Sequence, residues 1–114
     1  MSQLPKPPDT FLEFTRRFPQ VGKAWELLGD AGRAGPLDEK TARLIKVAIA
    51  VGCLREGAVH SAVRKAVAAG ATRDEVEQVL ALAASTLGLP ATVAAYTWVR
   101  DVLAGPAGPV PTEA

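Results

Sequence analysis

EGAVHSAVRKAVAAGATRDEVEQVL, residues 56–80, predicts one complete helix, its end and the beginning of another. Gly70 can adopt the left-handed backbone conformation that ends many helices. Thr72 and Glu75 then have the spacing of a capping box, so a new helix is predicted to begin there. Apolar residues before Gly70 follow the i, i+3, i+4 spacing of one helix face, at Val59, Ala62, Val63, Ala66 and Val67.

The same kinds of signal extend along the chain and predict an all-α fold of roughly six helices. No segment alternates between apolar and polar residues as a half-buried strand does. Asp38 is the predicted N-cap of the third helix, and Gly52 is the predicted break between the third and fourth helices. The predicted helices cover residues 11–18, 21–32, 39–51, 56–70, 71–88 and 91–105.

The distribution of proline and glycine predicts the domain organisation. Prolines at positions 5, 7 and 8 favour an extended N-terminal segment over residues 1–9, because proline restricts its own φ and the conformation of the preceding residue. Residues 105–114 are rich in proline and glycine without periodicity, which predicts a flexible tail. Residues 10–104 are therefore predicted to form one helical domain.

Composition excludes several classes of protein. Apolar residues make up 48% of the chain and aromatic residues only 5%, which predicts a core of Ala, Val and Leu. The net charge is +1, and short pairs such as Arg16–Arg17 do not make a run of basic residues, so no nucleic-acid partner is predicted. No apolar run reaches the roughly 18 residues of a membrane span. With one cysteine and no signal-peptide pattern, a cytoplasmic location is expected.

Cys53, Glu56 and His60 are the candidate catalytic residues. His60 is the only histidine, Cys53 is the only cysteine, and Glu56 lies four residues before His60. If the fourth helix begins near Leu54, Glu56 and His60 share a face, and Cys53 lies at the helix N-terminus, where a thiolate is stabilised. A carboxylate beside an imidazole can orient the ring for proton transfer.

Each of these residues also has an ordinary structural interpretation. An i, i+4 Glu–His pair is a common surface interaction, and a single cysteine is often a small buried apolar residue. One His, one Glu and one Cys lack the companion ligands of a zinc site, so no metal is predicted. The glycines match no phosphate-binding pattern, and no organic cofactor is predicted.

Three segments resemble the carboxymuconolactone decarboxylase family, which includes the alkylhydroperoxidase D-like proteins. They are PLDEKTARLIKVAIAVGC, EGAVHSAVRKAVAAGATRDEVEQVL and TLGLPATVAAYTW, and the resemblance extends over roughly residues 10–104. It implies an alkylhydroperoxidase D-like helical bundle that assembles into trimers or hexamers, of which the hexamer is expected here.

The resemblance implies two alternative chemistries. The peroxidase branch carries Cys-x-x-Cys-x-x-x-His, which falls on Cys53, Glu56 and His60, so the second cysteine is absent here. The decarboxylase branch is a lyase that acts on a lactone carboxylate without a cofactor, and it has a histidine where His60 stands. Arg43 and Arg55 are then candidates for holding the substrate carboxylate.

Three functions therefore remain open. The first is a small-molecule acid/base enzyme of the decarboxylase type that uses His60 with Glu56, and it is favoured by a small margin. The second is a thiol peroxidase, with peroxiredoxin activity at Cys53. The third is a non-catalytic helical oligomer that binds a small ligand or a protein partner.

Overall fold

The computed structural model describes residues 7–104, and these residues form six α-helices and no strand. This confirms the predicted all-α class. The predicted tail, 105–114, and most of the predicted extended segment lie outside the described residues. The helices are α1 (Asp9–Arg17), α2 (Pro19–Arg33), α3 (Glu39–Cys53), α4 (Glu56–Ala68), α5 (Arg73–Leu87) and α6 (Leu89–Leu103).

The first two helices belong to one compact unit, which comprises residues 7–37 of the described chain. Pro19 is the first residue of α2, a position where the missing backbone N–H costs nothing. Phe11 of α1 and Trp25 of α2 meet edge to face, with ring centroids 6.4 Å apart. This aromatic contact joins the two helices of the unit.

Helices α3 to α6 form the second compact unit, residues 38–104 as described. In it, α3 packs against α4 and α5, and α6 packs against α4 and α5. Its core is made of small apolar residues, as the composition predicts. The buried apolar residues are Val47, Ala50, Val51, Val59, Val63, Ala66, Ala71, Val76, Leu80, Ala95, Val99 and Leu103.

The break between α3 and α4 differs from the prediction. Gly52 is helical, and α3 continues to Cys53. Leu54 ends the helix in the left-handed conformation, with φ of 52°, and Arg55 is extended. Cys53 is therefore the last residue of α3, whereas Glu56 is the first residue of α4.

The predicted capping residues are confirmed at α3 and α5. Asp38 Oδ1 accepts a 2.7 Å hydrogen bond from Thr41 N. At α5, Thr72 Oγ1 accepts from Glu75 N at 3.2 Å, and Thr72 N donates to Glu75 Oε1 at 2.9 Å. Lys40 Nζ lies 2.9 Å from Glu75 Oε2, so the α5 cap is also tied to the first turn of α3.

The charge of Glu75 is expected to make folding sensitive to acid. The hydrogen bond from the Thr72 amide, assisted by Lys40, holds the pKa of Glu75 below its ordinary value of 4.5. A lowered pKa stabilises the fold above pH 4.5, and this contribution is lost as the pH falls through the folded-state pKa. Glu75→Gln keeps an acceptor for the amide but has no charge, so its deficit in unfolding free energy should shrink on acidification.

Urea unfolding at several pH values between neutrality and acid measures this effect. Asp74→Asn is the matched control, because it removes a carboxylate from the same turn of α5 but takes no part in the capping box. A Glu75→Gln deficit that stays constant across the acidic range would contradict the prediction.

Candidate functional site

Glu56 and His60 lie on one face of α4, as their spacing predicts. Glu56 opens the helix, and its Oε2 lies 4.0 Å from His60 Nε2. This separation fits an ion pair but is too long for a direct hydrogen bond. The His60 side chain is 24% exposed and that of Glu56 is 59% exposed, so the ring is partly enclosed and the carboxylate faces solvent.

Asp101 of α6 is the nearer partner of His60. Its Oδ2 lies 3.3 Å from His60 Nε2, and its side chain is 53% exposed. The sequence analysis did not identify Asp101, which lies 41 residues after His60 in an ordinary helical segment. Only the packing of α6 against α4 brings the two side chains together.

The Asp101 contact favours one tautomer of the neutral imidazole. An ionised carboxylate only accepts hydrogen bonds, so His60 pairs with Asp101 by carrying its hydrogen on Nε2. Nδ1 then keeps its lone pair and can take a proton from, or return one to, another molecule. A carboxylate that orients a histidine in this way is a recurring element of acid/base catalysis.

Cys53 lies apart from this group. It is an exposed free thiol at the C-terminal end of α3, so it lacks the helix N-terminal position that stabilises a thiolate. Among residues 7–104, donor atoms of Glu56, His60 and Asp101 lie within 4.8 Å of one another. The structure thus brings together two of the three predicted site residues and adds Asp101 to them.

Four cations, Arg43 and Lys46 of α3 and Arg64 and Lys65 of α4, make up a group that we call the cation cluster. The pKa of Lys65 is lowered by partial burial and by the nearby charges of Arg43, Lys46 and Arg64. The sequence shows no basic run at this cluster, because Arg43 and Lys46 are far along the chain from Arg64 and Lys65.

The cation cluster adds Arg64 to Arg43 and Arg55 as a candidate for holding a substrate carboxylate. Arg64 follows His60 by four residues on α4, so the two side chains project from neighbouring positions on one face. Arg43 belongs to the cluster, whereas Arg55 is the N-cap residue of α4, directly before Glu56.

In the described part of the chain, no helix is both long and apolar enough to cross a membrane.

The fold and this group of side chains define a small all-helical protein with an imidazole–carboxylate site. A model of the carboxymuconolactone decarboxylase family matches residues 19–101. Because the match spans more than half of the chain, the protein belongs to the carboxymuconolactone decarboxylase family, as the sequence resemblance predicts. No curated protein and no solved structure matches the chain.

Proposed function

We propose that this protein is a cytoplasmic small-molecule enzyme of the decarboxylase type, with His60 as its proton-transfer residue. The observation that carries the proposal is the 3.3 Å contact between His60 Nε2 and Asp101 Oδ2, with Glu56 4.0 Å from the same nitrogen. The two carboxylates offset the positive charge that the ring acquires when Nδ1 takes a proton. Membership of the family supports this class of reaction.

The proposed reaction removes CO2 from an activated carboxylate, such as that of a carboxylated lactone. The bond between the carboxylate and the adjacent carbon breaks, and its electron pair stays on that carbon. The protonated ring of His60 then donates its Nδ1 proton to the carbon, so CO2 leaves and a C–H bond replaces the C–C bond. Asp101 holds the ring through Nε2 during this transfer.

The cation cluster supports an anionic substrate. Arg64 lies one turn beyond His60 on α4, with Lys65 next to it, and Arg43 and Lys46 extend the positive charge onto α3. A guanidinium matches the planar geometry of a carboxylate and binds it with two parallel hydrogen bonds. We therefore assign Arg64, before Arg43 or Arg55, to substrate binding.

Detection of CO2 release from carboxylated lactones tests the proposal. In D2O, mass spectrometry of the product should show one deuterium at the carbon that lost CO2, and the reaction should be about 10²–10⁴-fold slower in His60→Gln. No release from any carboxylated lactone would contradict the proposal. Turnover of an organic hydroperoxide that is lost in Cys53→Ser would instead favour the peroxidase, and binding without turnover would favour the non-catalytic oligomer.

We also propose that the protein is a homo-oligomer, a trimer or a hexamer. Val47, Ala50 and Val51 bury one side of α3, while Ile45 and Ile49 on its opposite side are 44% and 57% exposed. A helix that is apolar on both sides favours a second partner surface. Further large apolar side chains are exposed on α5 and α6, namely Leu82, Leu89, Val93 and Tyr96.

A further inference from the structure

We propose that Glu56, His60 and Asp101 bind a divalent transition-metal ion, with zinc as the ion they fit best. The sequence predicts no metal because it offers too few ligands near His60. The fold removes that objection, since α6 supplies Asp101 and completes a set of one nitrogen and two carboxylate donors whose atoms lie within 4.8 Å of one another.

The distances within the group suit a small ion. Zinc binds imidazole nitrogen and carboxylate oxygen at about 2.0–2.2 Å, so tetrahedral ligands lie roughly 3.3–3.6 Å apart. The His60–Asp101 separation is 3.3 Å and the His60–Glu56 separation is 4.0 Å. Both carboxylates are more than half exposed, so rotation of their side chains can bring the oxygens towards a common ion.

The chemistry of the donors selects the class of ion. Calcium and magnesium prefer sets made only of oxygen ligands, whereas an imidazole nitrogen favours zinc and its transition-metal neighbours. Two carboxylates that face one imidazole also repel each other, and a divalent cation between them removes that repulsion. Three protein ligands leave the fourth position of a tetrahedral ion open to water.

This inference can be tested separately from the proposed reaction. A metal ion on His60 Nε2 would leave the hydrogen on Nδ1, so the metal-bound ring could not take up a further proton there. A protein that binds zinc without releasing CO2 would support the metal site and reject the reaction. A protein that releases CO2 without binding zinc would do the reverse.

Titration of the untagged protein with Zn²⁺ in a calorimeter, and with Co²⁺ in a spectrophotometer, tests the site. We expect one ion per chain and visible d–d bands for the cobalt form. His60→Gln and Asp101→Asn should each weaken binding by about tenfold or more, in line with the loss of a metal ligand or its close support. Asp74→Asn is the matched control, because Asp74 is an exposed aspartate outside the group, and it should bind as the wild type does.

Because His60 is the only histidine, the ¹⁵N resonances of one imidazole report the ligand directly. Zinc should shift the Nε2 resonance more than that of Nδ1. Three results would overturn the proposal: no heat of binding up to millimolar zinc, unchanged affinity in Asp101→Asn, or loss of binding in Cys53→Ser. Circular dichroism of each variant verifies that its helices are intact.

Discussion

Replacement of His60 by glutamine is expected to lower the turnover of the decarboxylation assay by about 10²–10⁴-fold, the usual contribution of a positioned general acid or base. The two carboxylates should differ in their effects. Asp101→Asn offers an amide N–H where the carboxylate accepted a hydrogen, so it favours the tautomer with the hydrogen on Nδ1 and should cost about tenfold or more. Glu56→Gln removes only an exposed pair worth about 0.2–1 kcal/mol, which limits its effect to about fivefold.

The tautomer can be measured separately from turnover. The long-range ¹H–¹⁵N spectrum of the single imidazole should show Nε2–H in the neutral wild-type protein and a shift towards Nδ1–H in Asp101→Asn. A merely structural role for Asp101 would leave the tautomer unchanged. A larger loss of turnover in Glu56→Gln than in Asp101→Asn would reverse the assignment of the two carboxylates.

Substitution of Ile49 by aspartate is expected to dissociate the proposed oligomer. Ile49 is 57% exposed within one chain, so the variant should fold, and its helical circular dichroism should match the wild type. In a closed assembly the new carboxylate would be buried without a partner in every subunit, which costs several kcal/mol per ion. Light scattering at micromolar concentration should therefore change from a multiple of 11.9 kDa to 11.9 kDa itself.

Gln78→Asp is the control for added charge, because it introduces the same group at an exposed polar position of α5. It should keep the mass of the wild type. A wild-type mass of 11.9 kDa, or an unchanged oligomer in Ile49→Asp, would contradict the assembly that we propose.

The fold class is predictable from the sequence because each helix carries local signals. The Thr72–Glu75 capping box and the Asp38 cap both form as their spacing predicts. The break after α3 is missed because Gly52 is the obvious candidate, whereas the chain turns at Leu54, a residue type that rarely adopts positive φ. That two-residue difference moves Cys53 from the beginning of one helix to the end of another.

The site is only half predictable for a related reason. Glu56 and His60 are neighbours through the periodicity of a single helix, which the sequence displays directly. Asp101 and the cation cluster depend on which faces of separate helices meet, and no local spacing encodes that. The same limit applies to the metal prediction, since the ligand count near His60 omits a residue that arrives from α6.

Because Asp101 lies near the end of α6, the packing of the core residue Leu103 can affect the contact between Asp101 and His60. Asp101 lies two residues before the end of α6, where helices fray most readily, and the fully buried Leu103 anchors that last turn. A local opening of that turn would separate Asp101 from His60 without unfolding the rest of the helical core. We therefore expect the packing of Leu103 to influence how long the His60–Asp101 contact persists, and amide hydrogen exchange at the end of α6 measures how often that contact is broken.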